Sequence, residues 1–208
     1  MKKLSIIALV LSTTLLTFSC KEKTKEAVTE TKVVEVEKVV EKSNDFVKEL
    51  KFKNFGYKVT ATNSGSLNKL SIQPIGFEQN QEITQEIDGT VTGVDTEDLN
   101  GDGYPEILVY VTSAGSGSYG TVVCYSPNEG KSLSQVYFPE TAGNKKLSKG
   151  YMGHDEFEVI EGTLAHRFPI YKDTDSNANP TGKTKQVQYE LKNGENGRVF
   201  AIKKVIEY

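Results

Sequence analysis

From Asp45 to Tyr208 the chain is cut at short intervals by turn-forming clusters: NSGS, NGDG, SPNEGK, DTDSNANPTGK and NGENG. Gly, Asn, Asp and Pro at that frequency interrupt regular structure before a helix of several turns can develop. The runs between the clusters read as strands: KELKFKNF, GYKVTAT, NKLSIQPI, EITQEIDGTVTGVDTED, PEILVYVTS, GTVVCYS, SLSQVYF, DEFEVIEGTLAHRFPIYK, KQVQYELK and RVFAIKKVIEY. Alternation supports the reading where it is clean, as in Tyr57, Val59 and Ala61 against Lys58 and Thr60. No window in this region gives a long amphipathic helix. The expectation is an all-β domain, an antiparallel β-sandwich or flattened barrel of about eight strands.

The N-terminus has a different character. Two lysines precede an apolar run from Leu4 to Leu16, and Thr17, Phe18, Ser19 and Cys20 follow. This is the layout of a secretory signal, too short to be read as a membrane span. Thr17 to Cys20 read as a lipoprotein cleavage box, with Cys20 as the lipidated first residue of the mature chain; ordinary cleavage near Ser19 is the alternative. Lys21 to Asn44 carries six lysines and six glutamates with no glycine, proline or aromatic residue, which reads as a solvated tether. The expected organisation is a signal peptide over 1–19, a charged tether over 20–48 and a β-sandwich domain over 49–208. Such a chain sits in the bacterial cell envelope, anchored by lipid, in the periplasm or at the outer-membrane surface.

Composition excludes several functions. A formal net charge of −3 offers no basic footprint for nucleic acid. Beyond Cys20 the only cysteine is Cys124, so an internal disulfide is ruled out and Cys124 reads as a small buried hydrophobe in a strand. His154 and His166 stand without a paired nucleophile or metal-ligand spacing. Asp155, Glu156 and Glu158 read as the wet face of a strand. No phosphate-binding loop or catalytic triad pattern is visible, and an enzyme is not expected.

Two stretches carry more information. In DTEDLNGDGYPEILVY, Asp98, Asn100 and Asp102 are spaced at alternate positions, Gly103 permits a sharp turn and Glu106 follows. That spacing can converge oxygen ligands on Ca²⁺, although the twelfth position counted from Asp98 is Val109, which excludes a full EF-hand. The other reading is a tight turn held by Asx side chains and glycine. The second stretch, YVTSAGSGSYG, is a loop of small residues ending on one tyrosine.

Together, the run DLNGDGYPEILVYVTSAGSGSYG resembles the periplasmic inhibitors of invertebrate-type (I-type) lysozyme, small secreted β-sandwich proteins of bacteria. The likeness is strongest from Asp95 to Tyr125. It implies that a Ser-x-x-Tyr loop, matched here by Ser116 and Tyr119 with Gly117 and Ser118 between them, plugs the catalytic cleft of the lysozyme. It implies no required cofactor, with Ca²⁺ at the acidic turn left open, and lysozyme as the partner; a homodimer is also open. The competing reading is a calcium-assisted glycan- or protein-binding lipoprotein module, which would need metal for binding or stability.

Overall fold

The computed structural model describes residues 45–208; the expected signal peptide, Cys20 and the tether up to residue 44 lie outside them. Twelve strands and no helix are found among the described residues, in three antiparallel four-stranded sheets. The first sheet holds β1 (Phe46–Phe52), β2 (Phe55–Ala61), β3 (Leu67–Ile75) and β4 (Ile83–Asp88). The second holds β5 (Thr90–Glu97), β6 (Glu106–Thr112), β7 (Gly120–Asn128) and β8 (Ser132–Val136). The third holds β9 (Glu156–Ile160), β10 (Thr163–Pro169), β11 (Thr184–Gly194) and β12 (Gly197–Glu207). Each is a meander in chain order, and none closes into a barrel. The all-β sandwich expectation therefore holds, with more strands than the expected eight or so. β1 also takes in Phe46, Val47 and Lys48, which the sequence reading assigned to the tether.

The extra strands come from two long runs that each break into two strands: the first passes from the first sheet to the second, and the second folds back as a hairpin. In Glu82–Asp98 the break occurs at Gly89, whose φ is +121° and whose Cβ position would lie 2.3 Å from the Thr112 carbonyl oxygen. Only glycine fits there. In Asp155–Lys172 it occurs at Glu161 and Gly162, both with positive φ, as a two-residue hairpin requires.

The middle sheet is covered on both faces. Ile107, Val109 and Val111 of β6, with Val123 and Tyr125 of β7, join a core containing Tyr57, Val59, Leu70 and Ile72 of the first sheet. Their alternates, Leu108, Tyr110, Val122 and Cys124, join a second core with Leu164, Phe168, Val187, Tyr189 and Phe200 of the third sheet. Two-sided burial explains why ILVYV is an unbroken apolar run where a half-exposed strand would alternate. The first six residues of β6 are all buried, and each such apolar side chain contributes about 1.5–3 kcal/mol on leaving water. Cys124 is buried here, and burial pushes its thiol well above the ordinary range. At the end of β8 the backbone of Tyr137 bonds to Arg198 and Phe200 of β12, linking the second and third sheets.

Candidate functional site

The two informative stretches lie at opposite ends of β6. The acidic turn leads into Glu106, the first residue of the strand, and the small-residue loop leaves from Thr112, its last. At a strand rise of about 3.3 Å per residue they are about 20 Å apart. They form two separate features.

In the acidic turn the side chains serve the backbone. Asp98 accepts from the N–H groups of Asp102 and Gly103, at 3.0 and 2.9 Å. Asn100 Oδ1 accepts from Asp102 N–H at 2.8 Å, and Asp102 accepts from Tyr104 N–H at 2.9 Å. Asn100 Nδ2 donates to Asp102 Oδ2 and to Glu106 Oε1, both at 3.0 Å. An amide donor thus stands between the two carboxylates that a cation would have to bridge, and its orientation is fixed by the bond on Oδ1. Glu106 is fully buried and also accepts from Ser126 Oγ at 2.5 Å and Leu99 N–H at 2.8 Å. Burial pushes its carboxyl up to about 7, against the pull of the Ser126 and Leu99 hydrogen bonds. Among the described residues no group of three His, Cys, Asp or Glu side chains is arranged to hold a metal ion. In this arrangement Asp98, Asn100, Asp102 and Glu106 hold the turn together.

The β6–β7 loop is built differently. Ser113 N–H donates to the Tyr119 carbonyl at 2.8 Å and Ser113 Oγ accepts from Tyr119 N–H at 3.1 Å, which closes the neck of the loop. Within it, Ser118 N–H donates to the Gly115 carbonyl at 3.0 Å, and Ser118 takes a φ of +45° to complete the turn. Ser116 is exposed, Gly117 buried, Ser118 half-buried and Tyr119 exposed at 47%. The Tyr119 ring folds back over Gly117 and meets Tyr151 edge-on, with centroids 5.6 Å apart. Among the described residues neither the Ser116 hydroxyl nor the Tyr119 hydroxyl has a protein hydrogen-bond partner. Two free hydroxyls therefore stand on one short, uncharged projection.

Two connecting segments beside the third sheet, one before β9 and one between β10 and β11, brace that projection. His154 N–H donates to the Gly117 carbonyl at 2.7 Å, and Asn177 Nδ2 donates to the Ser116 carbonyl at 2.6 Å. The 173–183 connection, a plain β-connection by sequence, is thereby a support for the loop. A cavity of about 300 Å³ lies beside it, lined by His154, Phe168, Tyr171 and Asn177. Another of about 240 Å³, lined by Tyr119, Phe138, Glu140 and Tyr151, borders the tyrosine.

Sequence reasoning missed Asp155, which it placed on a wet strand face. β9 begins only at Glu156, and His154 before it has a φ of +57°, so the strand alternation does not extend back to Asp155. Its side chain is fully buried, bonded to His166 Nε2 at 2.5 Å. His166 itself stacks on Phe157 at 4.5 Å, a core position.

Residues 81–145 match the family model described as periplasmic lysozyme inhibitor of I-type lysozyme. The matched segment takes in β4 and the whole middle sheet, and so contains both the acidic turn and the Ser116–Tyr119 loop. No curated protein and no solved structure matches the chain.

Proposed function

We propose that this protein inhibits an I-type lysozyme by inserting the Ser116–Tyr119 loop into the catalytic cleft. The observation that carries the reading is the braced, uncharged loop with two unengaged hydroxyls, lying inside the segment that matches the inhibitor family. A lysozyme cleft presents two carboxyl groups around the scissile bond, one acting as an acid and the other as a stabilising carboxylate or nucleophile. Serine and tyrosine hydroxyls satisfy such groups without adding charge, and the tyrosine ring supplies apolar contact area of the kind that dominates binding energy. Because the loop is already fixed in the free protein, little ordering cost is left to the binding step.

The protein acts as a binding partner and carries out no chemistry of its own. Its station is the cell envelope, with Cys20 lipidated and the charged segment ahead of β1 as the tether that holds the domain away from the membrane. Titrating I-type, chicken-type and goose-type lysozymes with the mature chain tests the reading. The expected result is stoichiometric inhibition of the I-type enzyme at concentrations that leave the other two active. Lack of inhibition of all three would support the binding-module alternative.

A further inference from the structure

We infer that Asp155 is the positioning residue of the inhibitory loop, acting from inside the protein without touching the enzyme. The inference rests on the plug reading and adds the device that sets the plug's geometry. The Asp155 carboxylate collects three donors. Its Oδ2 accepts from the N–H of Gly120, the residue directly after Tyr119, at 2.7 Å, and from the Tyr151 hydroxyl at 2.6 Å. Its Oδ1 is bonded to His166 Nε2 in the core.

The His166 bond ties Asp155 to the core, and the other two act on the loop. The Gly120 bond pins the foot of the loop, where β7 begins. The Tyr151 bond fixes the ring on which Tyr119 leans, and Tyr151 is held from behind by an edge-on contact with Phe168 at 4.8 Å. Burial and the Asp155 carboxylate push the Tyr151 phenol well above its ordinary value, so it stays a donor. The backbone of Asp155 also approaches the Ser118 carbonyl. A buried carboxylate is costly to place unless it is hydrogen-bonded, and these three donors together hold it in the interior. Tyr119 is thereby preorganised from below, while its hydroxyl stays free above.

The test uses the mature chain with Asp155→Ala, Asp155→Asn and Tyr151→Phe. Asparagine can keep an oxygen for Gly120 and Tyr151 and turn its amide toward His166, so it serves as the conservative rescue. Asp155→Ala should weaken lysozyme inhibition by about tenfold or more, with Asp155→Asn restoring it to within about threefold of the original. Tyr151→Phe keeps both ring contacts and should cost a few-fold; because it disturbs the core least, it carries the test if Asp155→Ala does not fold. In a Ser116→Ala, Tyr119→Ala background, Asp155→Ala should add less than about twofold, because its effect passes through the loop.

Amide hydrogen exchange on the free protein gives a readout independent of the enzyme. Asp155→Ala should expose the Gly120 N–H to exchange while Val109 and Val123, partners in the β6–β7 ladder, stay protected. Unchanged Gly120 protection, or full additivity with the loop substitutions, overturns the inference. If the unaltered protein inhibits no lysozyme, the functional reading falls, and the Gly120 exchange result still decides whether Asp155 positions the loop.

Discussion

The ring of Tyr119 lies directly over Gly117, so closely that a Cβ on the glycine would come within 2.4 Å of Tyr119 Cε2. The tyrosine is thus seated on its own loop as well as against Tyr151. Gly117→Ala should displace the ring and weaken inhibition about tenfold, with little loss of stability because the obstructing atoms belong to a movable side chain. Gly115 offers the complementary case, since nothing lies within 4 Å of its Cβ position. Gly115→Ala should leave the melting temperature unchanged or slightly raised, yet weaken inhibition if the loop tip is enclosed by the cleft. A Gly115→Ala variant that inhibits as well as the original would mean that the tip stays outside.

Glu106 sets a pH dependence of opposite sign to that of most carboxylates. Its folded-state value of about 7 lies above the ordinary 4.5, so between these limits the folded protein holds a proton that the unfolded chain has released. Its contribution is fully present below about pH 4.5 and is lost as the pH rises through about 7. The loss is on the order of 3 kcal/mol at most. Urea midpoints should fall between about pH 5 and about pH 8, and Glu106→Gln should remove most of that fall. A Gln variant with the same pH profile as the original would assign the dependence to other groups.

Calcium should leave the protein unchanged. With the Asn100 amide between Asp102 and Glu106, saturating Ca²⁺ or a chelator should shift the melting temperature by less than about 1 °C, because a ligand that does not bind the native state adds no stability. A rise that saturates with Ca²⁺ would establish the metal reading of the turn.

Much of this fold was legible in the sequence, for definite reasons. Turn clusters delimited the strands, and the apolar run at 107–111 read as a strand; its burial on both faces came from the structure. Less legible was the change of sheet at Gly89, since a single glycine inside an alternating run also reads as a bulge. The loop could be located because Ser and Gly follow a strand and end on a lone tyrosine. Its supports could not be found that way. Asp155 and Asn177 are 35 and 61 residues from the groups they bind, and each sits in irregular backbone where periodicity gives no orientation.

Lipidation of Cys20 predicts a membrane-bound mature chain whose first residue carries acyl groups, since more than one chain is needed for firm anchoring. Mass spectrometry of the mature N-terminus checks it. Cys20→Ser should release the domain or block its processing, and an unmodified Cys20 thiol on a soluble protein would contradict it.

The central claim is that Ser116 and Tyr119 are the groups that enter the lysozyme cleft, and the dissociation constant for I-type lysozyme measures it most directly. Hydrogen bonds to charged groups contribute about 1.5 to 3 kcal/mol, so Ser116→Ala and Tyr119→Ala should each weaken binding about ten- to a hundredfold while the fold stays intact. A folded Ser116→Ala, Tyr119→Ala double variant that binds and inhibits as tightly as the original protein would contradict the account.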